Sequence, residues 1–185
     1  DDGFILSDRE FAGADVLATS YAISQGIRTV KDYDLIICGK QTTDGDTAQV
    51  GPQIAEMLKI PQVSYAEEVH MEGDKVVVKR QYEDRYHVLE VKPPCLLTAL
   101  AELAEPRYMH AGGVVDAYNK DIKQFGFDDL KNDLNPAHIG LKGSPTNVFK
   151  SFTKQAKGAG TIHKDMAPDE AVEEIIAKLE ERHII

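Results

Sequence analysis

The chain has 185 residues, of which 42% are hydrophobic and 28% are charged, as in an ordinary globular protein. Its net charge of −10 argues against nucleic acid and anionic membrane surfaces as partners, because both select basic faces. No apolar run has the length of a membrane-spanning helix, so we expect no membrane insertion. A chain of this length forms one domain, or one domain with an arm.

Apolar periodicity and turn residues predict the elements of the first half of the chain. The two long apolar runs are expected to be parallel strands of one sheet. In chain order, the sequence predicts an irregular lead-in (1–9), a helix from Asp8 or Arg9 to about Ile27 ending at Gly26, an apolar strand (34–39), a helix (49–59), an antiparallel meander of three strands (61–92) and a second apolar strand (95–100).

The second half of the chain has weaker periodicity. It predicts short helices near 114–119 and 128–132 and a well-marked helix over 167–183, with Pro168 in its first turn. Most of 120–164 is expected to be an extended arm whose apolar residues are too many for a solvated linker, so we expect it to lie on a partner subunit.

The fold class is therefore α/β, with a mostly parallel sheet, an antiparallel meander as its flank and an extended C-terminal arm ending in a helix. We expect an α/β domain over residues 1–120. Residues 121–185 are expected to form the arm and terminal helix that pack on a partner subunit.

A polar loop between the first apolar strand and the following helix is the best candidate for a binding site. Small and hydroxyl residues let a phosphate approach the main chain, and the helix start presents free N–H groups. The loop has neither a Walker A nor a G-x-G-x-x-G pattern. An ordinary helix entry with Asp46 or Thr47 as N-cap stays open as an alternative. The candidate residues are Gly39, Lys40, Gln41, Thr42, Thr43, Asp44, Gly45, Asp46, Thr47, Ala48, Gln49, Val50 and Gly51.

The cysteines and acidic residues do not suggest a metal or nucleophile. Cys38 and Cys95 are expected at corresponding ends of the two apolar strands, as buried thiols rather than a disulfide. Nothing places a histidine beside either thiol, so a Cys–His nucleophile is rejected. Asp44 and Asp46 lack further oxygen ligands at calcium-loop spacing, so no metal site is expected.

Five ordered motifs carry a resemblance to the β subunit of electron transfer flavoprotein, a family with a Rossmann-like domain. The resemblance covers essentially the whole chain. The motifs are DREFAGAD (8–15), GKQTTDGDTAQVG (39–51), IPQV (60–63), EPRY (105–108) and GLKGSPT (140–146).

The resemblance implies a heterodimer with an electron transfer flavoprotein α subunit, in the matrix or the cytoplasm; we expect a cytoplasmic protein. The α-subunit FAD receives electrons from acyl-CoA or related dehydrogenases. The β subunit holds AMP or, in the electron-bifurcating group, a second FAD on the loop matching 39–50. The form GDTAQVG is closer to the bifurcating group, so FAD is expected here and AMP is the alternative. Since a flavin carries the redox chemistry, no catalytic residue is nominated.

The family's segment after the EPRY motif recognises the partner dehydrogenase. Small Ala111 and Gly112 stand where a bulkier anchor is expected, and an ordinary flexible loop is the alternative. The corresponding residues are Tyr108, Met109, His110, Ala111, Gly112, Gly113 and Val114.

Family members also open with a strand and further βα units that do not match this chain. We therefore expect an N-terminally incomplete sheet whose apolar strands lack a neighbour and expose an edge. Outside redox chemistry, the alternative function is a non-redox adenine-nucleotide-binding or scaffolding α/β module.

Overall fold

The computed structural model describes residues 2–130, 133–156, 158 and 160–185. The chain divides into two compact units, Asp1–Asn147 and Val148–Ile185. This division falls later than the predicted end of the α/β domain at residue 120, because a strand and a small core after that point pack on the N-terminal segment.

The elements follow in chain order. The strands are β1 (Gly3–Leu6), β2 (Leu35–Gly39), β3 (Gln62–Glu72), β4 (Lys75–Gln81), β5 (Tyr86–Val91), β6 (Cys95–Ala99) and β7 (Ile122–Phe125). The helices are α1 (Val16–Val30), α2 (Val50–Leu58), α3 (Ala111–Ala117), α4 (Phe127–Leu130) and α5 (Pro168–Glu181), with 3-10 turns at Arg9–Phe11, Ala101–Leu103 and Pro136–His138.

The main sheet has the strand order β2-β6-β3-β4-β5. Strands β2, β6 and β3 are parallel, and β4 and β5 continue antiparallel from β3. The predicted α/β class, the parallel apolar strands and the meander are thus confirmed. The expectation that both apolar strands lack a neighbour is wrong for β6, which pairs with β2 on one side and β3 on the other. Strand β2 is an edge strand, and its Ile37 is 59% exposed.

Successive residues of β6 supply the cores on the two faces of this sheet, as the period of two in a strand requires. Leu96 packs with Ile54 and Ala55 of α2, and α1 adds Ile23 and Ile27 to the same cluster. The neighbouring side chains of β6 face the other way; they pack with apolar residues of β3 and β4, in a cluster of Val63, Ala66, Val76, Val78, Cys95 and Leu97.

The start of the chain differs from the prediction. Residues 3–6 form β1, which pairs in parallel with β7 in a separate two-stranded sheet. Both segments were predicted to be irregular. Each is short, and its partner lies at the other end of the first unit, so neither has a local sequence signal for a strand.

The first helix also begins and ends later than predicted. Arg9–Phe11 is a 3-10 turn, Gly13 follows with φ of 74°, and Asp15 caps α1 at its true start. The carboxylate of Asp15 accepts hydrogen bonds from the N–H groups of Leu17 and Ala18. Gly26 does not stop the helix, which continues to Val30.

The smaller unit contains α5, which confirms the predicted terminal helix, and Pro168 is in its first turn. Within this unit His163 Nε2 lies 2.9 Å from Glu174 Oε1. The predicted helix 128–132 corresponds to α4, but positions 131 and 132 lie outside the described residues. Among the described residues, no helix is long and apolar enough to cross a membrane.

Candidate functional site

The predicted binding loop lies at the carboxyl end of β2, on the edge where parallel strands of open α/β sheets present ligands. Gly39 ends β2, and Val50 and Gly51 begin α2. Between them the N–H of Asp46 donates to the carbonyl of Thr42 at 3.0 Å and closes a turn. The N–H of Gly45 and the Thr42 hydroxyl strengthen this turn, at 3.3 Å.

The side chains of this turn do not cap the helix. Gln41 Nε2 donates to the carboxylate of Asp46 instead. The residue at the N-cap position is Gln49, and its side chain makes no capping hydrogen bond. The alternative of an ordinary helix entry capped by Asp46 or Thr47 is therefore wrong. A hydrogen bond from the Thr42 hydroxyl, followed by one from the N–H of Gly45, lowers the pKa of Asp44 below 3.8.

The backbone N–H groups leading into α2 are left free. In the described part of the chain, no hydrogen bond is recorded for the N–H groups of residues 47–51, and the first helical bond runs from Gln53 to the carbonyl of Gln49 at 3.0 Å. Helix N-termini leave such donors for a cap, water or an anion. Because no side chain caps α2, these donors are available to a ligand.

Two residues of the loop have left-handed backbone conformations that favour glycine. Asp46 and Ala48 both have φ of 52°, and Gln49 follows in the right-handed region. Successive residues of opposite hand turn consecutive N–H groups towards one concave side, which suits an anion. Alanine in this conformation costs about 1 kcal/mol, and such strain clusters at ligand sites.

A cavity of about 350 Å³ opens at this loop. Most of the predicted loop residues line it, but Thr43, Asp44, Gly45 and Asp46 do not. Thr19 of α1 and Cys38 of β2, which sequence analysis did not nominate, complete the wall. The lining residues are Thr19, Cys38, Gly39, Lys40, Gln41, Thr42, Thr47, Ala48, Gln49, Val50 and Gly51.

Close packing fixes the start of α2 against the sheet. A Cβ added to Gly51 would lie 2.7 Å from Thr98 Cγ2 and 3.4 Å from Leu96 Cδ2 of β6. From the other side, Ser20 of α1 donates to Gln53 Oε1 at 2.8 Å. Glycine at position 51 thus lets the start of α2 pack closely against β6.

A second and larger cavity, of about 650 Å³, shares Lys40 and Gln41 with the first. Sequence analysis did not predict it. Its lining residues are Lys40, Gln41, Tyr65, Gln81, Tyr82, Glu83, Asp84 and Leu100.

The two cysteines do not lie at corresponding strand ends, so that expectation is wrong. In the parallel register Cys38 is opposite Thr98, and Cys95 is opposite Leu35. Both thiols are free, and burial raises the pKa of each. Within the described residues, no group of three or more His, Cys, Asp or Glu residues could hold a metal ion.

The predicted partner-recognition segment is strongly exposed. Tyr108 and Met109 are 93% and 88% exposed. Helix α3 begins earlier than the helix predicted near 114–119: it includes Ala111, Gly112, Gly113 and Val114, with His110 as its N-cap. His110 Nδ1 accepts from the N–H of Gly113 at 3.0 Å. The segment therefore presents apolar side chains from an ordered helix start.

The motifs 8–15 and 140–146 contact each other. Ser144 Oγ accepts from the N–H of Asp15 at 2.8 Å, and Asp15 accepts from the hydroxyl of Thr146 at 2.8 Å. A Cβ on Gly140 would lie 2.3 Å from the carbonyl oxygen of Glu10. These residues join the two ends of the first unit, so their role in the described structure is to hold the fold.

The parallel strands, the uncapped helix and the loop at the carboxyl edge define a Rossmann-like α/β protein with an anion-compatible site. The family model described as electron transfer flavoprotein domain matches residues 1–129. The chain belongs to the electron transfer flavoprotein family, which confirms the resemblance inferred from its motifs.

Relatives match the full length of this chain, which spans about 70% of theirs. Electron transfer flavoprotein subunit beta of Clostridium acetobutylicum is 49% identical over 185 residues, covering 100% of this chain and 70% of the relative. Caffeyl-CoA reductase-Etf complex subunit CarD of Acetobacterium woodii is 48% identical over 185 residues, with the same coverage. Acryloyl-CoA reductase electron transfer subunit gamma of Anaerotignum propionicum is 46% identical over 190 residues, covering 100% and 71%.

Proposed function

We propose that this chain is the β subunit of a heterodimeric electron transfer flavoprotein in the cytoplasm. It binds FAD, with AMP as the alternative, and passes electrons between a dehydrogenase and the FAD of the α subunit. Membership of the family supports the electron-transfer role. The observation that carries the nucleotide site is the set of free N–H groups at residues 47–51, all of which line a cavity of about 350 Å³.

The loop fits the phosphates of such a nucleotide. Free backbone donors at a helix start and the positive end of the helix dipole both favour a phosphate. Lys40 adds a positive charge where the two cavities adjoin. The smaller cavity lies at the lower end of the range of about 300–1,000 Å³ typical of ligand pockets.

The redox chemistry would be supplied by the flavin when it is bound. The chain's own task is to hold the phosphates, orient the nucleotide and exclude water from it. No side chain of the loop has to act as an acid or a base. We therefore assign no catalytic residue to this chain, because the flavin would supply the chemistry.

The exposed apolar residues support the proposed partners. In the smaller unit Val148, Phe149, Phe152 and Ile162 are exposed, and so are Val172, Ile175 and Ile176 on α5. Large exposed apolar patches mark interaction surfaces. We assign this unit to the α subunit, and the surface around Tyr108 and Met109 to a partner dehydrogenase of the acyl-CoA type.

The relatives' names favour the electron-bifurcating group. CarD is named as a subunit of a caffeyl-CoA reductase-Etf complex, and the subunit gamma of Anaerotignum propionicum as an acryloyl-CoA reductase electron transfer subunit. Both belong to CoA-ester reductases. With the GDTAQVG form of the loop, this favours FAD over AMP in the β site.

The test is to co-express the chain with its α subunit, extract the bound nucleotides and identify them by mass. We expect two FAD per heterodimer, and one FAD with one AMP if the alternative holds. A colourless heterodimer without flavin, or one that carries ATP, contradicts the electron-carrier function and supports the non-redox module.

A further inference from the structure

We propose that His110 is a positioning residue of the partner surface and makes docking of the dehydrogenase depend on pH. Its neutral imidazole holds the start of α3, where the exposed anchors Met109 and Val114 lie. Protonation of the ring releases this helix start and weakens docking. The inference rests on the proposed function, because it concerns the surface assigned there to a partner dehydrogenase.

The imidazole of His110 caps α3 from the N-cap position. Its Nδ1 accepts from the N–H of Gly113 at 3.0 Å, and the carbonyl of His110 accepts from the N–H of Val114 at 3.0 Å. A Cβ added to Gly113 would lie 3.3 Å from both Cε1 and Nε2 of the ring. Glycine at this position therefore leaves room for the imidazole to lie against the first turn of the helix.

The two apolar anchors occupy positions that depend directly on this cap. Met109 directly precedes the N-cap residue and Val114 is the fourth residue of the helix, which are the two positions of a hydrophobic staple. Both residues line the cavity of about 430 Å³ at this surface. A change in the angle at which the chain enters the helix therefore moves Met109 relative to Val114.

Helix α3 has little besides this cap to stabilise it. It has seven residues, two of which are glycines, and none of them is buried. Helices this short are marginal unless packing or a cap supports them, and glycine in a helix lowers its stability further. The hydrogen bond from Gly113 to His110 therefore has a large influence on whether the first turn is formed.

Protonation of the ring removes the cap. Nδ1 accepts a hydrogen bond only while it carries no proton, whereas an imidazolium has N–H groups on both nitrogens. The charge of the imidazolium would also lie at the positive end of the helix dipole, where a cation is unfavourable. Both effects have the same sign, so the ordered helix start is favoured at high pH and is lost as the pH falls through the titration of the ring.

His110 is the group of this cavity that changes charge near neutral pH. Arginine stays charged and tyrosine stays neutral across the range in which histidine titrates. Asp116, the acidic residue of α3, does not line the cavity. The lining comes from the segment 107–118 alone, and its other titratable side chains are Arg107, Tyr108 and Tyr118.

Amide hydrogen exchange of the heterodimer, without its dehydrogenase, tests the cap. The wild type is compared with His110→Ser, whose hydroxyl can cap at every pH, and with His110→Ala, which has no side-chain acceptor. After correction for the intrinsic pH dependence of exchange, protection of the Gly113 N–H should fall about fivefold in the wild type from about pH 8 to about pH 5.5, the size of one lost N-cap. Protection should stay constant in His110→Ser and should be low throughout in His110→Ala.

Steady-state electron transfer with an acyl-CoA dehydrogenase tests docking. Over the same pH range the KM for the dehydrogenase should rise about fivefold more in the wild type than in His110→Ser. His70→Ser, which removes an exposed histidine of β3 outside this surface, is the control and should keep the pH dependence of the wild type.

Two results overturn the inference: parallel KM profiles of the wild type and His110→Ser, or protection of Gly113 in the wild type that does not change with pH. A cap that titrates, together with a wild-type KM in both His110→Ala and Met109→Asp, overturns the proposed partner surface itself and with it the effect on docking.

Discussion

Lys40 is the one charged side chain shared by the two cavities at the carboxyl edge of the sheet. Its ammonium group lies 5.5 Å from the ring centroid of Tyr65, which orients it without neutralising its charge. A hydrogen bond from a charged donor to a phosphate contributes about 1.5–3 kcal/mol. Lys40 therefore has the position and the charge to bind the phosphates of the nucleotide.

We expect Lys40→Met to weaken nucleotide binding by about tenfold or more while the free energy of unfolding stays within about 0.5 kcal/mol, because the side chain is exposed. Titration calorimetry of the heterodimer with AMP measures the effect. Lys92→Met is the control, since Lys92 lies on the meander away from both cavities. Equal affinities for the Lys40 variant and the wild type would remove Lys40 from the site.

Gly51 shows how packing serves the site. We expect Gly51→Ala to lower the free energy of unfolding by about 1–3 kcal/mol, because its Cβ would overlap the methyl group of Thr98. Urea unfolding monitored by circular dichroism measures this loss. Gly39→Ala is the matched control, because no atom lies within 4 Å of the added Cβ. A Gly51 variant as stable as the Gly39 variant would contradict the close approach of α2 to β6.

At the scale of elements, Asp15 links two parts of the chain that lie 131 positions apart in sequence. One carboxylate oxygen caps α1, and the other accepts from the backbone and the hydroxyl of Thr146. Asp8 likewise caps the turn at Arg9–Phe11 through one carboxylate oxygen, and its other oxygen accepts from the N–H of Phe127 at 2.9 Å. Each aspartate thus fastens the returning segment to the N-terminal segment.

These contacts predict an acid-sensitive fold. Hydrogen bonds from the N–H groups of Phe127 and Glu10 lower the pKa of Asp8. At Asp15, burial raises the pKa, but the hydrogen bonds from Ala18 and Thr146 outweigh it, so the pKa of Asp15 is also lowered. A carboxyl group whose pKa is lower in the folded chain than in the unfolded chain stabilises the fold at any pH above its unfolded pKa, which is near 3.8. This stabilisation is lost as the pH falls through the folded-state pKa.

We therefore expect Asp15→Asn to flatten the loss of stability between about pH 5 and pH 2, since asparagine cannot be protonated there. Near neutral pH the variant should be about 1 kcal/mol less stable, because asparagine retains the cap but loses one acceptor. Urea unfolding across this pH range measures both effects. Asp74→Asn, at an exposed turn, is the control. An acid profile of the Asp15 variant that matches the wild type would contradict this role.

The sequence predicted those elements whose signal is local. The alternation of Val76 and Val78 indicated the meander, and the apolar run from Leu35 indicated a buried strand. The strands β1 and β7 were missed because each is defined by pairing with the other. The start of α1 was misplaced because the turn at Gly13 packs against Leu141, which is distant in sequence. A Cβ added to Gly13 would lie 3.4 Å from the Cβ of Leu141.

Only the part of the candidate site that is continuous in sequence was predicted. The loop 39–51 is continuous in sequence, and its glycines and hydroxyl residues are a local signal. The larger cavity is also lined by Tyr65, which lies in β3 next to the register shift at Ala66, and by Tyr82, which directly follows β4. Both residues are distant in sequence from the loop. The backbone conformation of Ala48, which helps to direct the free N–H groups, has no signal in the residue type.

At the scale of the whole molecule, the exposed apolar residues indicate that the described chain works against other surfaces. The proposed recognition surface consists of Tyr108, Met109 and Val114 at the start of α3, around a cavity of about 430 Å³. A few buried aromatic and apolar anchors dominate protein interfaces. Here the anchors are exposed, so the fold does not need them for its own core.

We expect Met109→Asp to raise the KM for the partner dehydrogenase by about tenfold, because a charge would be desolvated in the interface. Nucleotide content and thermal unfolding should not change, since the side chain is 88% exposed. Steady-state electron transfer between the heterodimer and the dehydrogenase measures the effect. Ile122→Asp, on β7 outside this surface, is the control. Equal KM values for the two variants would contradict the assignment of this surface.

The proposed nucleotide site requires that the backbone N–H groups of residues 47–51 bind the phosphate of a nucleotide. Amide hydrogen exchange of the nucleotide-free heterodimer, measured with AMP and with adenosine, tests it most directly, because the two ligands differ only in the phosphate. We expect rapid exchange at 47–51 without ligand, slow exchange with AMP and little change with adenosine. Equal protection by both ligands, or no protection of 47–51 by AMP, would contradict it.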